Sequence, residues 1–183
     1  LASIAIPEGI TSIDEYAFYR CTALESIVIP DSLTHVADYA FEICNHIEKV
    51  YINDITKWCE ISFGNHASSP LNQRTMFYLK GELVTDVELP KSVTSIKDYA
   101  FSGCATLKSI AIPYGVTSIG NGAFSGCVSL ESIMIPDSVT SIGDYAFTSC
   151  ASLVSIAIPD SVTSIGKSAF YHCASLESFV IPR

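Results

Sequence analysis

Short stretches in which hydrophobic and polar residues alternate recur along the chain. The stretch at 130–135, LESIMI, predicts a β-strand, because β-branched residues at alternate positions favour a pleated, half-buried backbone. Pro136 follows directly and ends the predicted strand, since proline cannot donate to a β-ladder. The residues expected to point inward are Leu130, Ile133 and Ile135, and those expected to point outward are Ser132 and Met134.

The stretch after Pro136 predicts a tighter backbone. Val139 and Ile142 indicate a second extended piece that also faces inward. Asp144 then stands where a side-chain cap would begin a short helical turn. The same position is occupied in other units by Glu15, Asp38, Asp98, Asn121 and Lys167. We interpret this column as caps rather than as a calcium site, because a dedicated cation site would not tolerate the lysine.

The whole unit repeats with a period of 23 residues. Units begin at Leu1, Leu24, Ile47, Val84, Leu107, Leu130, Leu153 and Leu176, with an irregular interruption at about 53–83. This period and the spacing L-x-x-I-x-I are typical of a leucine-rich repeat solenoid. We therefore predict one α/β-type repeat domain over residues 1–183. It would be a right-handed coil with an in-register parallel β-sheet on its concave face and short extended and helical turns on its convex face.

Three residue types recur at fixed positions and should form columns inside the coil. The alanines, which would allow close backbone approach, are Ala17, Ala40, Ala100, Ala123, Ala146 and Ala169. The phenylalanines, which would fill the interior, are Phe18, Phe41, Phe101, Phe124, Phe147 and Phe170. The cysteines are Cys21, Cys44, Cys104, Cys127, Cys150 and Cys173. Parallel side chains suit neither a disulfide torsion nor four sulfurs converging on zinc, so we predict buried free thiols, with Cys59 packed elsewhere.

Charge and hydropathy narrow the possible functions. The net charge of -9 argues against a nucleic-acid partner, because phosphates require clustered Lys and Arg. No apolar run reaches the roughly 18 residues that a membrane span requires, since a proline cuts each strand short.

The chain begins and ends within a repeat, from which we expect a piece of a longer protein. Any leader or anchor would then lie outside it.

Catalysis finds little support in the sequence. The four histidines occupy unrelated repeat positions, so none forms a pair with metal-ligand spacing. They are His35, His46, His66 and His172. No nucleophile elbow, phosphate-cradling glycine loop or H-E-x-x-H helix is present. We predict no enzyme, no cofactor and no metal.

The interruption predicts two local structures. Residues 56–61, TKWCEI, could form a helical turn that buries Trp58 and Ile61. The stretch MFYLKGELV favours a hairpin about Lys80-Gly81, whose second arm leads into the next solenoid strand. Either the interruption only fills the core, with Trp58, Phe63 and Phe77, or it also supplies a recognition site.

Outward strand positions suggest where such a recognition site would lie. Ser, Ala, Val and Met occupy the two outward columns of ordinary units, whereas charged residues and a tyrosine occupy them beside the interruption. These residues are Lys49, Tyr51, Asp86 and Glu88. A tyrosine with charges of both signs on a smooth surface is the composition expected of a recognition spot. We predict that this group contacts a protein partner.

The pattern LxxIxIPxxVxxIgxyAFxxC, in register in six units, resembles the BspA-type leucine-rich repeat. This resemblance covers nearly the whole chain. It implies a secreted or surface-attached protein, mainly of bacteria, that uses its repeats for adhesion to host matrix proteins or to other cells. Extracellular or cell-surface localisation is therefore the expectation.

Two alternatives to adhesion remain open. The chain could be a structural spacer that holds another domain away from the cell surface and has no binding site. It could also associate end to end through the unpaired strands at Leu1 and Leu176, although we predict a monomer.

Overall fold

The computed structural model describes residues 2–180, with the side chains of residues 2–178. Three positions of the repeat pattern lie outside this part: Leu1, which begins the first unit, the outward side chain of Val180, and Pro182, which follows the last predicted strand. In chain order the elements are β1 (Ser3–Ala5), β2 (Ser12–Ile13), β3 (Ser26–Val28), β4 (His35–Val36), β5 (Lys49–Ile52), α1 (Ile55–Glu60), β6 (Ser62–Phe63), β7 (Met76–Leu79), β8 (Glu82–Leu83), β9 (Asp86–Glu88), β10 (Ser109–Ala111), β11 (Ser118–Ile119), β12 (Ser132–Met134), β13 (Ser141–Ile142), β14 (Ser155–Ala157), β15 (Ser164–Ile165) and β16 (Ser178–Val180).

The longer strands form two five-stranded sheets, in the orders β1-β3-β5-β7-β8 and β16-β14-β12-β10-β9. Regular strands pair in parallel with the residue one repeat away, as Ile110 does with Ile133. This confirms the predicted in-register solenoid. The strands do not form one continuous sheet, however, because β8 pairs antiparallel with β7 and ends the first sheet. That hairpin, about Lys80-Gly81, is the one the sequence predicted.

A second side of the coil carries the shorter extended pieces. They form the three-stranded parallel sheets β2-β4-β6 and β11-β13-β15. The inward residues of the predicted second piece are buried here, with Val139 and Ile142 at most 1% exposed. The core therefore lies between two parallel ladders, as the alternating pattern predicted.

The phenylalanine column is confirmed. Phe101, Phe124 and Phe147 are fully buried. Neighbouring rings stack nearly parallel, with centroids 5.5 Å apart for Phe101–Phe124 and 5.3 Å apart for both Phe124–Phe147 and Phe147–Phe170. Phe18 and Phe41 stack in the same way at 4.9 Å. The buried alanines beside them, Ala40, Ala100, Ala123 and Ala146, leave room for this close stacking.

The third side, which we call the turn face, consists of tight turns rather than capped helical turns. Backbone N–H groups alternate between partners: Ser125 donates to Gly122 in its own turn, and Phe124 donates to Ala146 in the next. Tyr145 has a φ of 56°, a left-handed conformation in which no helix can begin. The prediction that Asp144 caps a helical turn is therefore wrong.

Three of the predicted cap residues, Asp98, Asn121 and Asp144, instead connect successive turns. Asp144 Oδ1 accepts a hydrogen bond from the backbone N–H of Lys167 over 2.7 Å. Asn121 Oδ1 accepts from Asp144 over 2.8 Å, and Asp98 Oδ1 accepts from Asn121 over 2.7 Å. The glycine before each donating residue makes room for the accepting side chain. A Cβ on Gly143 would lie 2.6 Å from the backbone nitrogen of Asn121.

The interruption fills the core, as both interpretations of the sequence held, and a recognition site beside it stays a prediction. Helix α1 begins after Asp54, whose carboxylate accepts from the backbone N–H of Thr56 over 2.7 Å. Trp58, Phe63 and Phe77 are buried. The Trp58 ring lies 5.4 Å from Phe63 and 4.9 Å from Phe77. These aromatic rings continue the hydrophobic interior across the irregular segment.

Candidate protein-binding surface

The candidate surface is the outward side of the two five-stranded sheets, which we call the sheet face. Most of its side chains are small, because serine and alanine occupy the outward strand positions. They are Ser3, Ala5, Ser26, Ser109, Ala111, Ser132, Ser155, Ala157 and Ser178. The face is therefore smooth except at Val28 and at the larger outward residues of β5, β7, β9 and β12.

The four residues predicted to contact a partner lie on the sheet face but in separate sheets. Lys49 and Tyr51 are on β5, which pairs with β3 and β7. Asp86 and Glu88 are on β9, at the end of the second sheet, where it pairs with β10. The sequence placed these strands in consecutive units, whereas β7 and β8 follow β5 in the structure. Binding by these residues stays a prediction.

Tyr51 neighbours an aromatic residue that the outward columns of the repeat did not include. Pairing of β5 with β7 sets Tyr51 opposite Tyr78 and Lys49 opposite Met76. The tyrosine rings stack with centroids 4.9 Å apart and an interplanar angle of 21°. Alignment of MFYL with KVYI, 27 residues earlier, is the signal that could have found this pair.

The carboxylates of β9 differ in their surroundings. Ser109 Oγ donates a hydrogen bond to Asp86 Oδ1 over 2.5 Å. This bond, another from Thr85 and the nearby charge of Lys108 hold the pKa of Asp86 below its ordinary value. Glu88 is exposed and forms no salt bridge with any residue whose side chain the structure describes. Its carboxylate is open to solvent and to a partner.

Two shallow depressions adjoin Glu88. One lies on the sheet face and is bordered by β9, β10 and β12, with Met134 at its far side. The other lies just beyond the strand ends, where Tyr114 and Lys91 border it. Glu88 and Ala111 line both depressions, so the two adjoin at these residues.

The cysteines of the column are free thiols, buried as predicted at Cys44, Cys104, Cys127 and Cys150 but only half-buried at Cys21 and Cys173. The thiol of Cys127 donates to the backbone carbonyl of Phe101 over 3.1 Å, and that of Cys150 donates to Phe124 over 3.2 Å. Burial raises the pKa of Cys104 to about 11 and that of Cys59 to about 12. These thiols stay protonated at neutral pH and are poor nucleophiles, since the thiolate is the reactive form.

Side chains that could ligate a metal are dispersed over the described residues. Within residues 2–178, no three or more His, Cys, Asp or Glu side chains are grouped so that they could hold a metal ion. The four histidines are all exposed. In the described part of the chain, no helix has the length and apolar character needed to cross a bilayer.

Comparison with known sequences decides the family. The profile of the BspA type leucine rich repeat region matches residues 1–71 and 73–183, in six copies. The chain belongs to the BspA-type leucine-rich repeat family. This confirms the resemblance seen in the repeat pattern. A search of curated proteins finds no match.

Solved structures similar to this BspA-type chain come from several bacteria. A leucine rich cell surface protein from Faecalibacterium prausnitzii is 33% identical, with a TM-score of 0.63, over 97% of this chain and 47% of its own. A leucine-rich repeat protein from Bacteroides ovatus is 29% identical, with a TM-score of 0.64, over 94% of this chain and 41% of its own. The T. pallidum leucine rich repeat protein, at 23% identity, shares the fold, with a TM-score of 0.58 over 97% of this chain and 78% of its own.

The BspA-type chain thus spans less than half the length of the first two relatives. Its repeats place a smooth sheet face beside larger polar and aromatic residues. Such an arrangement can serve as a contact surface for another protein. It brings no set of reactive groups together among the residues described above.

Proposed function

We propose that this chain is a non-catalytic protein-interaction or adhesion module of a secreted or cell-surface bacterial protein, and that it binds through the sheet face. The observation that carries the proposal is the smooth row of serine and alanine side chains, which lets a partner approach the backbone over several strands. Membership of the BspA-type family supports it. So does the likeness to a protein described as a cell surface protein.

Two groups of larger side chains would give this face its specificity. The first group is Lys49, Tyr51, Met76 and Tyr78, on paired strands of the first sheet. The second group is Asp86, Glu88 and Met134, on the second sheet. Tyrosine and methionine are enriched at protein interfaces, because tyrosine buries a large rigid ring at a low cost in conformational entropy and methionine adapts its flexible thioether to the partner's surface. The partners proposed are host matrix proteins or other cell-surface proteins.

The test is adhesion of the purified chain to immobilised matrix proteins and to cells. The double variant Tyr51→Ala with Glu88→Lys should lose binding, because it alters one residue in each group. The matched control, Tyr171→Ala with Glu15→Lys, makes the same chemical changes at exposed positions of the turn face. It should bind like the wild type. If both double variants bind every identified ligand unchanged, the sheet face is not the binding surface.

A structural spacer gives a different result in the same assays. A spacer would bind neither matrix proteins nor cells. In the complete protein, removal of whole repeats would then reduce activity in proportion to the length removed. That pair of outcomes would overturn the adhesion proposal.

A further inference from the structure

The second sheet contains a short trough that crosses three strands. In-register pairing sets Glu88 on β9 opposite Ala111 on β10, and Ala111 opposite Met134 on β12. Adjacent strands lie about 4.8 Å apart, so Glu88 and Met134 are roughly 10 Å apart across the small alanine. The trough thus has a carboxylate on one side, an apolar floor and a flexible thioether on the other side.

Solvent exposure singles out this part of the surface. Met134 is 76% exposed and Tyr114 is 73% exposed, the two highest values among the large hydrophobic residues whose side chains are described. They border the two depressions that meet at Glu88 and Ala111. An exposed apolar patch with polar residues at its rim is typical of an interaction surface.

The charge in the trough has one sign. Asp86 and Glu88 are the only ionisable residues at outward positions of β9, β10, β12 and β14. Alternate residues of a strand are about 6.8 Å apart, so these two carboxylates present negative charges at that spacing. Lys108 and Lys91 lie at the margins, where Lys108 influences Asp86 and Lys91 borders the depression beyond the strand ends.

We propose that this trough binds an extended segment of a partner protein that carries basic side chains at alternate positions. The inference rests on the proposed function and names the chemistry of the partner. Alternate side chains of an extended segment point the same way and have the spacing of Asp86 and Glu88. The aliphatic part of a lysine or arginine would lie over Ala111 against Met134, while its cationic group pairs with Glu88. Opposite charges at such a surface mainly provide specificity and fast association.

The probe is a synthetic peptide, Gly-Thr-Arg-Thr-Arg-Thr-Gly, titrated into the isotope-labelled chain and followed by amide chemical shifts. The wild type should show shifts centred on Glu88, Ala111 and Met134. Added salt should weaken them, because the charges are exposed to solvent. A peptide with glutamate in place of both arginines should produce none. A peptide with adjacent arginines should bind more weakly, since its two side chains point to opposite sides.

Variants distinguish binding at the trough from attraction to the overall negative charge of the chain. Glu88→Lys should weaken binding about tenfold or more, as one attraction becomes a repulsion, and Glu88→Gln should have a smaller effect in the same direction. Glu15→Lys changes the net charge equally on the turn face and should leave binding unchanged. Met134→Ser should weaken binding several-fold, whereas Ile165→Ser, at an exposed position of β15, should not.

Several outcomes would overturn the inference. These are an absence of shifts, shifts spread over the whole surface, equal weakening by Glu88→Lys and Glu15→Lys, or preference for the glutamate peptide. If the chain adheres to matrix or cells while the arginine peptide produces no shifts, this inference fails and the proposed function stands. If the peptide binds at the trough but no adhesion is found, the inference stands and the proposed adhesion to matrix proteins and cells fails.

Discussion

The indole N–H of Trp58 donates a hydrogen bond to the backbone carbonyl of Ala100 over 2.7 Å. In a regular turn, the equivalent alanine carbonyl accepts from a phenylalanine N–H of the preceding turn, as Ala123 accepts from Phe101. The turn before Ala100 belongs to the interruption, and there a side chain makes the bond that a backbone makes elsewhere. Trp58 therefore joins the irregular segment to the regular repeats by hydrogen bonding as well as by packing.

Trp58→Phe should lower the free energy of unfolding by about 1–3 kcal/mol, because the buried Ala100 carbonyl would lose its donor. Urea denaturation measures the change. Phe63→Leu is the matched control, since Phe63 packs 5.4 Å from Trp58 and its replacement removes volume from the same cluster without removing a hydrogen bond. If the two variants lose equal stability, the hydrogen bond contributes little.

Phe147→Ala should destabilise the chain by about 3–5 kcal/mol, because it opens a cavity in the middle of the aromatic column. Phe147 is fully buried and stacks on Phe124 and Phe170. Ser132→Ala on the sheet face should change stability by less than about 0.5 kcal/mol. Thermal unfolding of the two variants checks the assignment of inward and outward positions. Equal losses would contradict it.

The regular part of the fold was predictable because its register is built into the repeat. Residues one period apart are chemically alike. Pairing the same positions of successive units therefore both forms the hydrogen bonds of the ladders and brings the hydrophobic side chains together in the core. Phe124 and Phe147 were expected to be neighbours for this reason, and they stack 5.3 Å apart. The cysteine column follows the same rule, since Cys127 and Cys150 occupy the same position in successive turns of the coil.

The interruption could not be placed in this way, because no period links it to its neighbours. The pairing of Tyr51 with Tyr78 depends on the lengths of α1 and of the following loop. The sequence therefore set Lys49 and Tyr51 beside Asp86 and Glu88, although the hairpin separates their strands. The prediction for Asp144 was wrong for a different reason. An acidic residue before Tyr-Ala-Phe fits the start of a helix equally well, and the Lys167 N–H that Asp144 binds belongs to the next turn of the coil.

Gly143→Ala should destabilise the chain, because the added Cβ would lie 2.6–2.7 Å from the Asn121 backbone nitrogen and Asn121 Oδ1. The turns would have to move apart, weakening the hydrogen bond between Asn121 and Asp144. Overpacking of this kind costs about 1–3 kcal/mol. Gly115→Ala is the control, since its Cβ would lie no closer than 3.4 Å to a neighbouring atom. Equal thermal stability of the two variants would contradict the close approach of the turns.

The buried thiols should make stability depend on pH under alkaline conditions. Burial raises the pKa of Cys104 to about 11, whereas a thiol in the unfolded chain titrates near its ordinary value of about 8.5. The unfolded state then loses its proton first as the pH rises, so the contribution of Cys104 is complete below that ordinary value. It is lost between about pH 8.5 and 11, at about 1.4 kcal/mol for each pKa unit of difference.

Thiol labelling tests the same burial at a pH near 8. An aromatic disulfide reagent should modify the half-buried Cys21 and Cys173 first, because they lie in the outermost turns of the described chain. Cys44, Cys104, Cys127 and Cys150, which are buried, should react only as the chain unfolds. Mass spectrometry of timed samples assigns each modified residue, and urea provides the fully reactive control. Simultaneous labelling of all seven cysteines in the native chain would show that the column is open to solvent.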